Sequence, residues 1–149
     1  MGKKKDNYSD FKKVVHTTTV KIRFNECDPL GIVWHGNYIK YFEDAREEFC
    51  KLHGIDYLVV QKNGYATPII KSMCEHKLPL TYGDVATVET TFVSTPAAKL
   101  IFTYKIFNPE GKLACIGETI QVFIDKDGVL QLTNPEFISL WKVKENLLD

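Results

Sequence analysis

Residues 25–38 read Asn25-Glu-Cys-Asp-Pro-Leu-Gly-Ile-Val-Trp-His-Gly-Asn-Tyr38, a turn-rich stretch that carries a carboxylate into the chain's one long helical pattern. A helix start leaves backbone N–H groups without intrahelical partners and carries partial positive charge. Such groups bind a carbonyl oxygen and stabilise it as it becomes an oxyanion. Asp28, a few residues upstream, has the chemistry to attack that carbonyl or to take a proton from water beside it. Asp-Pro is also a common turn opener, so the same aspartate has a plain structural use, and residue chemistry alone favours that use.

Other standard constellations are missing from the sequence. The serines are Ser9, Ser72, Ser94 and Ser139, and none sits in the G-x-S-x-G elbow of a serine hydrolase. There is no glycine-rich phosphate loop and no H-E-x-x-H. His16, His35, His53 and His76 are scattered, and Cys27, Cys50, Cys74 and Cys115 form no C-x-x-C, so no metal site is expected. Strand-like alternation turns Cys27 away from Asp28, which argues against a thiol nucleophile.

The elements that must position this loop follow from periodicity. Val14–Phe24 ends in alternation, with Val20, Ile22 and Phe24 on one face, and reads as a half-buried strand. After the loop, Tyr38, Tyr41, Phe42, Ala45, Phe49 and Leu52 form one helical apolar stripe, with Asn37 as expected N-cap and Gly54 as stop. Ile55–Lys62 reads as a second short helix. Extended segments follow over 66–77, 85–93, 100–107 and 112–124, with Asn108-Pro-Glu-Gly111 as a hairpin turn. Pro135 opens a short helix carrying Phe137, Leu140 and Trp141. One helix of about 25 Å can lie across a curled antiparallel sheet and supply its core, an α+β arrangement.

Length and charge set the outer limits. The 149 residues suit one domain, expected over 14–149, behind a solvated lead-in at 1–13. Lys and Arg together number 19, as do Asp and Glu, so the chain lacks the cationic surplus that nucleic-acid binding demands. No apolar run approaches the ~20 residues of a membrane span. No secretory h-region follows the initial lysines, so a cytoplasmic setting with reduced thiols is expected.

The stretch Cys27-Asp-Pro-Leu-Gly-Ile-Val-Trp-His-Gly-Asn-Tyr38 closely resembles the signature of hotdog-fold thioesterases of the 4-hydroxybenzoyl-CoA thioesterase family. The similarity continues through Tyr41-Phe-Glu-Asp-Ala-Arg46 and Ala66-Thr-Pro-Ile69, and through the order of elements to about residue 124. The resemblance implies a hotdog fold, a long central helix wrapped by a five-stranded antiparallel sheet. It implies acyl-CoA thioester hydrolysis without a cofactor, with Asp28 as nucleophile or general base and the backbone N–H of His35 polarising the thioester carbonyl. Gly31, Trp34 and Tyr38 would shape the pocket, Glu43 would be the reserve carboxylate, and Thr67 would lie near the site. The basic or serine residues with which the family holds CoA are reduced here to Lys99. Homodimers or homotetramers with active sites at subunit boundaries are expected. Two alternatives stay open: a dehydratase-like enzyme using His35 with Glu43, and a non-catalytic acyl-CoA-binding protein.

Overall fold

The computed structural model describes residues 8–148; residues 1–7 of the expected lead-in lie outside the described residues. The chain runs through β1 (Lys13–Lys21), a 3-10 turn (Phe24–Glu26), α1 (Asn37–His53), α2 (Tyr57–Lys62), β2 (Ile69–His76), β3 (Val85–Val93), β4 (Lys99–Phe107), β5 (Leu113–Val122) and α3 (Glu136–Lys144). The strands form one antiparallel sheet in the order β1-β3-β4-β5-β2. β1 and β2 are therefore its edges. The fold is the expected α+β hotdog, with α1 packed on one face of the sheet.

The alternation read in β3 holds: Ala86, Val88, Thr90 and Phe92 are buried while Thr87, Glu89 and Thr91 are half-buried. Register carries this face across the sheet. Val88 pairs with Ile106, Ile106 with Cys115, and Cys115 with His76; the next row is Thr90, Tyr104, Gly117 and Cys74. Onto these rows α1 lowers Tyr38, Tyr41, Phe42, Ala45 and Phe49, all buried. Burying each Phe contributes roughly 1.5–3 kcal/mol. Phe42 stacks on Tyr104 at 4.5 Å and lies directly over Gly117, where an added Cβ would come within 2.2 Å of its ring. Gly117 thus lets helix and sheet approach closely. Gly54 ends α1 with φ 69°, as the stop signal predicts.

Four expectations need correction. Phe24 is 79% exposed, because the strand ends at Lys21 and the 3-10 turn breaks the two-residue period; its ring meets that of Tyr82 edge-on at 5.8 Å. Leu52 is 65% exposed, because His53 takes the inward place in the last turn, against Phe49 at 4.4 Å and Trp141 at 5.6 Å. Asn37 is not the N-cap; Gly36 is, and Asn37 is the first helical residue, buried, with its Nδ2 donating to the Glu26 carbonyl at 2.8 Å. In α3 the buried side chains are Ile138, Trp141 and Lys142, while Leu140 faces outward. The Lys142 ammonium donates to the Thr95 carbonyl at 3.0 Å.

Candidate active site

The loop between β1 and α1 is tied at both ends. The Glu26 carboxylate accepts the Arg23 N–H at 2.8 Å, and the Glu26 carbonyl accepts the Trp34 N–H at 2.9 Å as well as the Asn37 amide. The Val33 N–H donates to the Leu80 carbonyl at 2.8 Å, which anchors the loop to the β2–β3 connection. Between these ties Asp28 opens a tight turn: the Gly31 N–H donates to the Asp28 carbonyl at 2.9 Å, and Gly31 adopts φ 76°, a region that glycine enters without steric cost.

The Asp28 side chain divides its work. Its Oδ1 accepts the Leu30 N–H at 2.8 Å, so the turn-capping use is real. Its Oδ2 makes no hydrogen bond among the described residues. At the head of α1 the N–H groups of His35 and Gly36 are likewise without an acceptor among the described residues. Asp28, His35 and Tyr38 line one cavity of about 300 Å³, to which His76, Lys77, Leu78 and Pro79 also contribute. Two residues of this cavity thus carry a half-free carboxylate (Asp28) and an unpaired amide donor (His35), with the Gly36 donor next in the chain; addition to a carbonyl uses groups of these two kinds.

The other residues singled out from sequence have different places. Trp34 is half-exposed and packs beside the His35 ring at 5.0 Å. Tyr38 is buried, its ring edge-on to His76 at 4.6 Å; burial raises its hydroxyl pKa above the ordinary value. Cys27 points its sulfur back toward the Arg23 carbonyl at 3.7 Å. Glu43 and Thr67 line a second, larger cavity of about 560 Å³ between α1, β2 and β5. There Glu43 pairs with Arg46 at 3.4 Å, and Gln121 Nε2 donates to the Thr67 carbonyl at 2.8 Å. Burial in that cavity pushes the Cys50 thiol up to about 12. Within one chain, then, Glu43 and Thr67 do not share a cavity with Asp28. Lys99 begins β4 and lines neither cavity.

Sequence reasoning missed His76 as a wall of the Asp28 cavity, and with it a cluster. Cys74 Sγ lies 3.1 Å from Cys115 Sγ and 3.6 Å from His76 Nε2. The available signal was Cys74-x-His76 on one strand face; its third member comes only with the β2–β5 register.

Known proteins share this fold and part of the sequence. A Bacillus subtilis protein named as a candidate acyl-CoA thioesterase, YneP, is 32% identical over 108 residues, 72% of this chain and 78% of the relative. The 4-hydroxybenzoyl-CoA thioesterase of Pseudomonas sp. is 28% identical over 75% of this chain and 84% of its own. The crystal structure of a DHNA-CoA thioesterase from Staphylococcus aureus superposes with a TM-score of 0.79, at 26% identity and covering 89% of both chains. The profile of the thioesterase-like superfamily matches residues 22–141, from just past the first strand into the last helix. With this match over most of its length, the chain belongs to the thioesterase-like superfamily.

Proposed function

We propose that this chain is an acyl-CoA thioesterase whose chemistry is done at the Asp28 cavity. Thioester hydrolysis is the reaction named for its relatives in Bacillus, Escherichia coli and Pseudomonas. The observation that carries the reading is the pairing of the half-free Asp28 carboxylate with the unpaired N–H groups of His35 and Gly36 in one loop. In this reading the thioester oxygen accepts from the N–H of His35. Asp28 then adds to the carbonyl carbon, expelling CoA thiolate and leaving an anhydride that water cleaves. Alternatively it takes a proton from the water that adds. Both routes give a carboxylic acid and CoA, and neither requires a cofactor.

A second copy completes the proposed enzyme. Strand β2 is a sheet edge that exposes Ile69, Ile70 and Met73. Native proteins cover such edges, and pairing with another chain is one way to do so. A dimer formed along this edge gives the Asp28 cavity a second wall, to which Glu43 and Thr67 of the other copy are the proposed contributors. Lys99 is the proposed contact for a CoA phosphate. Four free cysteines favour a reducing, cytoplasmic setting. The dehydratase-like alternative needs His35 and Glu43 together; within one chain they line different cavities, so it too would draw Glu43 from the second copy, and the reaction catalysed is what separates the two readings.

The test is free-thiol release from a panel of acyl-CoAs of graded length, including aromatic ones, with enoyl- and hydroxyacyl-CoAs monitored for water addition or loss. Thiol release with at least one saturated or aromatic acyl-CoA is expected. Interconversion of enoyl- and hydroxyacyl-CoA without thiol release would establish the dehydratase reading, and binding without turnover the non-catalytic one.

A further inference from the structure

We propose that Cys74, His76 and Cys115 form a binding site for one zinc ion, beside the Asp28 cavity and independent of the hydrolytic reading. The three donors come from two neighbouring strands. Cys74 and His76 share the helix-facing side of β2, two residues apart, and Cys115 stands opposite His76 on β5. Their donor atoms all lie within 4.8 Å of one another. Two thiolates and one imidazole are a donor set that zinc takes, with the fourth tetrahedral position open to water or another ligand.

Both distances from Cys74 come close to what the ion needs, and the Cys115–His76 pair lies within 4.8 Å. Zinc bonds of about 2.3 Å to sulfur and about 2.0 Å to nitrogen set a tetrahedral S···N pair about 3.6 Å apart. The Cys74 Sγ to His76 Nε2 separation is 3.6 Å. Two zinc-bound sulfurs stand about 3.8 Å apart, so the pair now at 3.1 Å needs only to open slightly. A disulfide fits the same pair less well. Cys74 pairs with Gly117 and Cys115 with His76, so the two cysteines are diagonal neighbours. Diagonal partners in an antiparallel sheet have Cα atoms about 7–8 Å apart, past the ~4.4–6.8 Å span of a disulfide.

Burial completes the argument. Cys115 is fully buried and Cys74 partly so, while His76 is exposed at the Asp28 cavity. The ion therefore has an entry path on the histidine side and a dry thiolate side. The neutral thiols each release a proton on binding, so the dipositive ion meets two thiolates and the filled site carries no net charge. His76 also packs against Tyr38, so the filled site would hold the first turn of α1 against the β2 edge.

The experiment titrates cobalt(II), as a zinc probe, into the full chain after treatment with chelator and a thiol-free reductant. One equivalent is expected, with a thiolate-to-cobalt charge-transfer band and the intense visible bands of four-coordinate cobalt. Zinc should displace it stoichiometrically. Cys74→Ser and Cys115→Ala should each abolish the charge-transfer band or weaken binding at least ~10-fold, the low end of what even an outer-shell change costs a metal site. His76→Gln should weaken binding while retaining the band. Circular dichroism confirms which variants are folded, and half-buried Cys74 is the position least tied to the core. The proposal is overturned if the reduced protein shows no charge-transfer band, or if folded Cys74→Ser keeps both the undiminished band and wild-type cobalt affinity. It is equally overturned if the cysteines are recovered as a Cys74–Cys115 disulfide and the reduced form binds no cobalt.

Discussion

One Asp28 oxygen holds a turn and the other makes no hydrogen bond among the described residues, and the proposed chemistry rests on that division. Asp28 Oδ1 accepts the Leu30 N–H, which fixes the carboxylate's direction, and the neighbouring amide donors belong to the backbone. Replacing the His35 side chain leaves its N–H in place. His35→Ala should therefore lower kcat less than tenfold, against the ~10²–10⁴ expected from removing a general base. Steady-state kinetics on the preferred acyl-CoA checks this, and a loss as large as that of Asp28→Asn would promote the imidazole to a catalytic group. Lys99→Ala should raise KM and leave kcat nearly unchanged, because a phosphate contact binds ground and transition states alike. That effect should fade at high salt, and a KM that ignores both the substitution and the salt would place CoA elsewhere. Asp28, His35 and Tyr38 were legible together because they are close in sequence and flank a helix start. His76 was not, because only the β2–β5 pairing brings it to the cavity.

Elements came through the sequence where a period ran uninterrupted, and failed where it broke. The β3 alternation and the α1 stripe from Tyr38 to Phe49 match the buried set, since each contacts a continuous partner surface. Phe24 and Leu52 lie at element ends, where a 3-10 turn and a competing His53 ring decide exposure rather than periodicity. Asn37 stands one residue inside the helix rather than at its cap, because Gly36 takes the cap position and the asparagine side chain reaches back to Glu26. The helix–sheet contact itself depends on Gly117. A methyl group there would meet the Phe42 ring at 2.2 Å and the Met73 carbonyl at 3.1 Å, and Phe42 is fully buried with no room to swing. Gly117→Ala should destabilise the fold by ~1–3 kcal/mol, the usual cost of overpacking a core. Urea denaturation measures it, and an unchanged midpoint would show that α1 lifts from the sheet without strain.

The whole molecule presents a sheet with one helix-covered face and an apolar β2 edge, and neither cavity alone gathers Asp28, Glu43 and Thr67. A stable dimer is the predicted solution state. Sedimentation at micromolar concentration should show at least twice the chain mass, and Ile70→Lys on the β2 edge should shift it toward monomer; a wild-type monomer would contradict the shared-site arrangement. In the proposed arrangement hydrolysis belongs to the dimer, so its decisive test is made on the protein in the oligomeric state it adopts in solution. Asp28→Asn keeps the side-chain oxygen that accepts the Leu30 N–H and removes the anionic oxygen that would attack carbon or water. Single-turnover thiol release from the preferred acyl-CoA, paired with calorimetric binding of the same acyl-CoA, is the direct measurement. The predicted result is binding within a few-fold of wild type and a rate lower by at least ~10², the general-base expectation. A variant that keeps more than about a tenth of the wild-type rate, well above that expectation, would contradict the assignment of Asp28 as the reacting carboxylate.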